Sequence, residues 1–357
     1  MKRIRVLVAD DSALMRRTLR LVIEADPELE LVGTARDGED VLQKARELRP
    51  DVISMDIHMP KVDGITALQI IVQENICPVV MLSSLTHKGA VTTFECLELG
   101  AFDFVGKPDG TVSSDLGSVA RELILKLKAA AGMGTLQRTG KRRRELRQEL
   151  VRTKPALAGI DFDRLKQNGT FKAVAIGIST GGPATIMEVL PQIPQAIRGA
   201  VFLVQHMPES FTNTFARRLN DACDLEVVEV ESGMEVQPGH CYVARGSSHL
   251  TLYRRLNGQV FIRMPTTPPM LFVPSVNVMM ESVLAVYGRD TIGVLMTGIG
   301  DDGADQMMRI KEAGGYTIAE SEESCVVYGM PREVIERGGA CEVRPSWEIA
   351  SAILRRI

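Results

Sequence analysis

Residues 174–185 read VAIGISTGGPAT, an apolar run followed by a glycine turn that holds one serine. A strand, such a turn and a helix form the nucleophile elbow G-x-S-x-G, which would present Ser179 for covalent chemistry. The same glycines would also suit a loop that binds phosphate at a helix N-terminus. However, Ser179 replaces the middle glycine of the dinucleotide fingerprint G-x-G-x-x-G, and no G-K-[ST] follows. The turn therefore argues against a nucleotide site and leaves Ser179 as a nucleophile or a helix cap.

A serine nucleophile needs a base, and the usual base is a histidine held by a carboxylate. Among five histidines, His206 directly follows GAVFLVQ, the strand expected beside the serine strand. Asp301 and Asp302 follow TIGVLMTGIG at another strand end, and we select Asp302 as the orienting acid. The alternative is a helix-capping serine, a core histidine and a D-D-G turn. Spacing alone leaves both interpretations open, and the order Ser, His, Asp differs from that of α/β-hydrolases.

A second group of polar residues falls at predicted strand ends near the N-terminus. Asp10 and Asp11 close the first strand and Asp56 closes the third. In an open parallel sheet these carboxylates converge at the carboxyl edge, where a hard cation such as Mg²⁺ would relieve their repulsion. Ser83 and Lys107 end the fourth and fifth strands, where a hydroxyl and an ammonium suit a phosphoryl group. Each residue alone could be a cap or a solvated charge, but all five together predict a phosphoryl site.

The elements that must position these residues follow an α/β rhythm. Residues 1–129 contain five βα units, which predict a five-stranded, parallel, doubly wound domain. Residues 159–357 resume this alternation and include two β-rich arms around an Asn-Gly turn. They predict a second doubly wound domain, mostly parallel, with an antiparallel hairpin at one edge. Residues 130–158 carry few large apolar side chains and predict a basic linker, for which a solvated segment is favoured over a nucleic-acid contact.

Length and composition limit the classes of function. A chain of 357 residues is expected to form two domains, and its net charge of −3 does not suggest a nucleic-acid binder. The six cysteines form no C-x-x-C pair, which predicts reduced core thiols rather than disulfides or a zinc site. No signal peptide is recognised, and four prolines interrupt the charge-poor stretch around 264–280. We expect a cytoplasmic protein without membrane insertion or a nucleic-acid partner.

The motifs VLVADDS, DVISMDIHMP, VVMLSS and FVGKP occur in the order found in receiver domains of two-component response regulators, which residues 1–125 resemble. The resemblance implies phosphorylation of Asp56 by a histidine kinase. It also implies that Mg²⁺ is held by the carboxylates and one main-chain carbonyl, that of His58, and that a lysine pairs with the phosphate. The residues implied are Asp10, Asp11, Asp56 and His58 for the metal, Lys107 for the phosphate, and Ser83 and Phe104 for the switch.

The motifs AIGISTGGPATI, VQHMPESFTNTFARRLN, TGIGDDGADQM and VVYGMP resemble the chemotaxis receptor methylesterases of the CheB family. That family hydrolyses glutamate methyl esters on chemoreceptors, releases methanol and deamidates selected glutamines without a cofactor. The resemblance implies that Ser179 is the nucleophile, His206 the base and Asp302 the orienting acid. Thr180 and the main-chain amide of Ile299 are implied as supporting or oxyanion contacts.

One segment departs from the family pattern. Residues 274–277 read PSVN and match the family pattern P-S-V-D only in part. The basic residue that precedes this pattern in the family is absent, and Asn277 replaces its acid. The resemblance therefore assigns no substrate contact to Ser275 or Asn277. The family also implies a receiver that covers the catalytic site until Asp56 is phosphorylated.

Two other classes of protein would require residues that this sequence lacks. A DNA-binding response regulator would need a basic helix-turn-helix in place of the second βα domain. A nucleotide-dependent oxidoreductase would need a glycine at position 179 and an acid about twenty residues later.

Overall fold

The computed structural model describes three stretches of the chain: residues 2–107, 116–133 and 170–357. The chain divides into two compact units, 1–146 and 147–357. Most of the predicted linker, residues 134–158, lies outside the described stretches. Its first residues, 130–133, form the end of a helix that belongs to the first unit.

Strands and helices alternate throughout the first unit, as the sequence predicts. The elements are β1 (Ile4–Ala9), α1 (Ala13–Glu24), β2 (Leu29–Ala35), α2 (Gly38–Leu48), β3 (Val52–Asp56), α3 (Gly64–Gln73), β4 (Val79–Ser83), α4 (His87–Leu99), β5 (Asp103–Gly106) and α5 (Leu116–Met133). Every strand pair is parallel, and the strand order is β2-β1-β3-β4-β5. The expectation of a five-stranded, parallel, doubly wound domain is confirmed.

The order of these strands explains why acidic residues meet at one edge. The chain leaves β1 for β2 on one side and returns to β3 on the other, so a crevice opens between the carboxyl ends of β1 and β3. Asp10 and Asp11 follow β1 directly, and Asp56 is the last residue of β3. The side chain of Ser12 caps α1 by accepting the N–H of Met15, which fixes where the chain turns after the two acids.

The second unit contains a larger parallel sheet. Its elements are β6 (Lys172–Ile178), α6 (Gly182–Thr185), β7 (Gly199–Gln205), α7 (Glu209–Ala222), β8 (Glu226–Glu229), β9 (His240–Val243), β10 (Thr251–Arg254), β11 (Val260–Arg263), α8 (Val276–Tyr287), β12 (Thr291–Leu295), α9 (Ala304–Glu312), β13 (Tyr316–Glu320), α10 (Met330–Glu336), β14 (Glu342–Arg344) and α11 (Ser346–Leu354). Seven strands pair in parallel in the order β14-β13-β12-β6-β7-β9-β8.

The central strand of this sheet is β6, with β12 on one side and β7 on the other. Its residues are almost entirely buried, and the neighbouring strands are similarly apolar, as expected for a parallel sheet covered on both faces. The loops that follow β6, β7 and β12 therefore emerge side by side at the carboxyl edge. This is the crevice in which ligands bind in open α/β sheets.

The antiparallel hairpin is present as β10 and β11, which pair in register from Thr251 with Arg263 to Arg254 with Val260. It forms a two-stranded sheet of its own instead of extending the parallel one. Its second arm exchanges main-chain hydrogen bonds with residues 233–236, which follow β8. The hairpin thus lies on a connecting segment, and the polypeptide between β11 and α8 returns from it toward the carboxyl edge.

All six cysteines are free, and four of them are buried. Burial raises the pKa of Cys77 and of Cys96 to about 12, so these thiols are inert core residues. Cys341 is exposed, contrary to the core interpretation. No helix in the described part of the chain is both long and apolar enough to cross a membrane.

Candidate functional site

Ser179 lies in the turn between β6 and α6 and is held there by its main chain. Its N–H donates to the carbonyl of Thr297 at 3.0 Å, and its own carbonyl accepts the side-chain amide of Gln205 at 3.1 Å. The side chain is buried. At Gly298 a Cβ atom would lie 2.8 Å from the Cβ of Ser179, so only glycine permits this close approach of the two loops.

His206 follows the neighbouring strand β7, and its N–H donates to the carbonyl of Ile178, the residue before Ser179, at 3.2 Å. The imidazole Nε2 lies 2.8 Å from Oδ2 of Asp302, which lies in the loop after β12. Only 5% of the His206 side chain and 10% of the Asp302 side chain are exposed. The structure therefore brings the predicted base and acid into a partly buried hydrogen bond beside the serine turn.

The other ring nitrogen of His206, Nδ1, is buried and has no hydrogen-bond partner among the described residues. No hydrogen bond within the described stretches joins His206 to the hydroxyl of Ser179. Hydrogen bonds of this kind often tighten only when substrate binds, so the geometry leaves Nδ1 as the nitrogen available to a reacting group. The ring of Phe272 stacks on the imidazole, with centroids 4.3 Å apart and planes inclined by 12°.

The carboxylate of Asp302 also binds the start of α8. Its Oδ1 accepts the Ser275 hydroxyl at 2.9 Å and the Asn277 N–H at 2.9 Å, and its Oδ2 accepts the Val276 N–H at 2.7 Å. Burial alone would raise the pKa of Asp302, but His206 and the helix amides outweigh it and lower that pKa. Asp302 is therefore an anion held at a helix N-terminus, where negative charge is favoured.

This arrangement gives PSVN a role that the sequence did not predict. Ser275 and Asn277 contact the acid Asp302, and the side chain of Ser275 also caps α8 by accepting the N–H of Val278. A serine directly before an apolar helical run is the sequence signal of an N-cap. Both Ser12 and Ser275 show this signal, and both are N-caps in the structure. Nothing in the local sequence indicated that Phe272 would reach His206, because that contact joins distant segments.

The two residues suggested for oxyanion contacts lie in two different loops, Thr180 in the serine turn and Ile299 in the loop after β12. Thr180 is buried, and its hydroxyl has no hydrogen-bond partner within the described stretches. Ile299 lies in the loop after β12, next to Gly298, whose N–H donates to Val327. No hydrogen bond of the Ile299 N–H occurs among the described residues, so this donor is available.

The acidic group of the first unit forms a second site. Oxygen atoms of Asp10, Asp11 and Asp56 all lie within 4.8 Å of one another. The ammonium of Lys107 lies 2.8 Å from Asp10 and 2.7 Å from Asp56. Three carboxylates with one ammonium leave negative charge uncompensated, and such hard oxygen donors suit Mg²⁺. The residues present therefore fit the Mg²⁺ ion that the sequence predicts at this edge of the sheet.

Burial has opposite effects on the charged groups of this second site. It raises the pKa of Asp56, and the hydrogen bond and charge of Lys107 only partly offset that rise. For Lys107, burial lowers the pKa, but the hydrogen bonds and charges of Asp10 and Asp56 outweigh it and raise that pKa. The His58 side chain is exposed, and its main-chain N–H bonds to Asp56.

The two residues suggested for the switch are both buried in this unit. The hydroxyl of Ser83 accepts that of Thr93, on α4, at 2.7 Å. The carbonyl of Phe104 accepts the ammonium of Lys126 at 2.6 Å, and that ammonium lies 5.2 Å from the centre of the Phe104 ring. Thr93 and Lys126 were not identified from the sequence, because neither belongs to a recognisable motif.

Comparison with known proteins places these two sites in a family context. Residues 174–353 match the family described as CheB methylesterase, and residues 6–112 match the response regulator receiver domain. A relative from Syntrophomonas wolfei, named protein-glutamate methylesterase/protein-glutamine glutaminase 3, is 56% identical, with 99% of each chain covered. A relative from Carboxydothermus hydrogenoformans with the same name, numbered 2, is 48% identical over the full length of both chains. The Thermotoga maritima CheB methylesterase catalytic domain superposes with a TM-score of 0.52 and 38% identity, covering 53% of this chain and 100% of that domain.

Proposed function

Since this chain belongs to the CheB methylesterase family and carries a response regulator receiver domain, we propose that it hydrolyses glutamate methyl esters on chemoreceptors and deamidates selected receptor glutamines. The observation that carries this proposal is the partly buried hydrogen bond of 2.8 Å between His206 and Asp302. It lies at the sheet edge where Ser179 directly follows the central strand β6, and a base held by an acid is what a serine nucleophile requires.

In the proposed first step, His206 takes the hydroxyl proton of Ser179 through the nitrogen that Asp302 leaves free. The serine Oγ forms a bond to the γ-carbonyl carbon of the ester, and the carbonyl oxygen becomes an oxyanion. When the carbon–methoxy bond breaks, the imidazolium gives its proton to the leaving oxygen, and methanol departs. Asp302 keeps the ring in place and stabilises its positive charge. The protein then holds a glutamyl ester of Ser179.

In the second step, water attacks this ester while His206 takes one of its protons. The bond to Oγ breaks, the imidazolium returns the proton to Ser179, and the free glutamate leaves. A glutamine side chain follows the same path, with ammonia as the first leaving group. Both reactions are acyl transfers from a γ-carbonyl, and they need no cofactor in this scheme.

The proposed oxyanion contacts are the main-chain N–H of Ile299 and the hydroxyl of Thr180. Their lack of other partners within the described stretches supports this assignment, because an oxyanion hole must offer free donors before charge develops. Of the two, Ile299 is the stronger choice, since a main-chain donor is held rigidly by the loop.

We extend the proposal to the first unit, in which Asp56 would accept a phosphoryl group from the chemotaxis histidine kinase. Asp10, Asp11, Asp56 and the carbonyl of His58 would hold Mg²⁺, which neutralises negative charge on the phosphoryl oxygens when it is bound. Lys107 already contacts two of these carboxylates and would pair with the phosphoryl group. The short distances and the burial of Asp10 and Asp56 support this assignment.

Activation would pass through Ser83 and Phe104. The Ser83 hydroxyl would leave Thr93 to bind the phosphoryl group on Asp56, and the Phe104 ring would change its packing against Lys126. We propose that the receiver restrains access to Ser179 until this change occurs. The proposed domain limits are 1–129 for the receiver and 159–357 for the catalytic domain, and the basic linker 130–158 joins them.

The expected setting is the cytoplasm, with chemoreceptors as substrate and no nucleic-acid partner.

The proposal is tested by methanol release from methylated receptors, measured with and without a small phosphodonor. Ser179→Ala is expected to lower kcat by roughly 10⁶-fold, because the three residues act as a unit. Asp56→Asn is expected to keep basal activity and lose the response to phosphodonor. Ser232→Ala, an exposed serine in another turn of the same unit, is the matched control and is expected to match the wild type.

Methanol release by Ser179→Ala at the wild-type rate would refute the nucleophile. A phosphodonor response that survives Asp56→Asn would instead refute control through the receiver, and leave the chemistry in place. Deletion of residues 1–150 without a gain in basal activity would refute restraint of the catalytic site.

A further inference from the structure

His249 is a fully buried histidine that has no place in the proposed reaction. It lies just before β10, and both ring nitrogens are hydrogen-bonded. Nδ1 lies 3.1 Å from the main-chain N of Ser275, and Nε2 lies 2.9 Å from the carbonyl oxygen of Pro268. An N–H can only donate and a carbonyl can only accept, so Nδ1 accepts and Nε2 donates. The contacts therefore select the neutral Nε2–H tautomer.

His249 fixes both ends of one connecting segment. Its own N–H donates to the carbonyl of Pro265 at 2.7 Å, and its ring reaches Pro268 and then Ser275. Residues 265–275 thus wrap around one imidazole on their way from β11 to α8. Because a buried N–H without an acceptor is costly, the position of Ser275 depends on the lone pair of Nδ1.

The same segment supplies the surroundings of the proposed base and acid. In its middle, Phe272 stacks on the imidazole of His206. At its end, the hydroxyl of Ser275 donates to Asp302, and the next two amides donate to the same carboxylate. A displacement of this segment would therefore alter the orientation of both His206 and Asp302.

We propose that His249 is a positioning residue that sets the geometry of the His206–Asp302 pair through its acceptor bond to Ser275. The inference rests on the catalytic roles proposed above for His206 and Asp302. His249 touches neither residue directly, and its action is the placement of the helix start that holds the acid. A residue in this role affects kcat, because the pair must be aligned in the transition state.

The two ring contacts can be separated with a pair of variants in the full-length chain. In His249→Asn the side-chain oxygen can replace Nδ1 as acceptor for Ser275, whereas in His249→Gln the side-chain nitrogen can replace Nε2 as donor to Pro268. We expect Asn to retain kcat within about threefold, and Gln to lower kcat by about 10- to 100-fold at similar KM. His240→Asn and His240→Gln are the controls, since His240 begins β9 at the opposite, amino end of the sheet.

Each result of the kinetic test has a definite meaning. The inference is overturned when Gln equals or exceeds Asn in kcat, or when both variants only lower the thermal midpoint and keep kcat. Asp302→Asn is assayed in parallel. If that variant is fully active, the proposed catalytic roles fail; if it is inactive while His249→Gln keeps wild-type kcat, only the role of His249 fails.

A measurement on the unmodified protein covers the case in which both His249 variants fail to fold. Nitrogen-15 NMR of histidine-labelled protein at pH 7.5 is expected to show His249 as the Nε2–H tautomer with Nδ1 as acceptor. Detection of the Nδ1–H tautomer or of an imidazolium at that position would overturn the inference, because neither can accept the N–H of Ser275.

Discussion

Asp302 binds His206 with the same carboxylate that accepts the first two main-chain amides of α8. The acid that orients the base is thus anchored to a helix from another part of the chain. The alignment of the imidazole depends on where α8 begins as well as on the loop after β12. This relationship leads to predictions that separate the acid from its neighbours.

Asp302→Asn is expected to lower kcat for methanol release by about 10⁴-fold, because an amide donates where the carboxylate accepts and favours the wrong tautomer of His206. Asp301→Asn is the matched control. Asp301 is adjacent in sequence, is exposed, and pairs with Arg337 at 2.8 Å instead of with His206. A loss of similar size in both variants would show that the turn, and not the Asp302–His206 bond, determines activity.

The lowered pKa of Asp302 gives its contribution to stability a definite sign. A group whose pKa is lowered by folding stabilises the fold above its ordinary pKa of 3.8, and this contribution is lost as pH falls through the lowered value. Asp302→Asn should therefore reduce the free energy of unfolding at pH 7 and have a smaller effect near about pH 3. The only tryptophan, Trp347, belongs to the second unit, so urea unfolding followed by its fluorescence reports on that unit. An equal effect at both pH values would contradict the assignment.

Asp56 should behave in the opposite way, because folding raises its pKa. Its ionised form opposes folding, and stability is lost as pH rises through the raised value. We expect Asp56→Asn to raise the thermal midpoint of the receiver by roughly 2–4 °C at pH 8, and by less at acidic pH. Calorimetry is the measurement, with Trp347 fluorescence identifying the transition of the other unit. A lower midpoint at pH 8 would indicate that the bond to Lys107 outweighs burial.

Mg²⁺ is expected to stabilise the receiver by binding to the folded state alone, so that its thermal midpoint rises with ion concentration. Asp11→Asn removes one exposed oxygen donor and should weaken this rise. Glu47→Gln removes an exposed carboxylate on α2, away from the acidic group, and should leave the rise unchanged. A rise that is identical in all three proteins would argue against the Asp10, Asp11 and Asp56 group as the binding site.

Phe272→Ala should remove the ring that stacks on His206 and lower kcat by about 3- to 10-fold, the size expected for loss of one aromatic pair. Phe272→Tyr keeps the ring and should keep most of the activity. Leu271→Ala, at a neighbouring residue that is 60% exposed, is the control for a general effect of the segment. If Leu271→Ala and Phe272→Ala reduce kcat equally, stacking is not the cause.

Much of the fold can be predicted from the sequence, because apolar runs typical of strands alternate with helical patterns along the chain. The runs that became β6, β7 and β12 were recognisable, and parallel strands bring the residues that follow them to one edge. That rule alone predicts that Ser179, His206 and the D-D-G turn lie close together. The rule does not decide which of Asp301 and Asp302 contacts His206. Both residues follow the same strand, and only the geometry of the turn determines the direction in which each side chain points.

The parts that were not predictable are those made by contacts between distant segments. Phe272 and Ser275 reach the site from the polypeptide between the hairpin and α8, and no local pattern specifies where such a segment packs. The role of His249 could not be predicted from the sequence for the same reason. In sequence it is one histidine beside a hairpin, and only the folded chain shows that both of its nitrogens are used.

Hydrogen bonds from helix amides and His206 hold the carboxylate of Asp302, and no lysine or arginine within the described residues forms an ion pair with it. In the proposed reaction the ester that enters is neutral, whereas the glutamate that leaves is an anion. The fixed charge of Asp302 therefore repels the product but not the substrate. Electrostatics would help to clear the site after each turnover and would oppose re-esterification of the receptor.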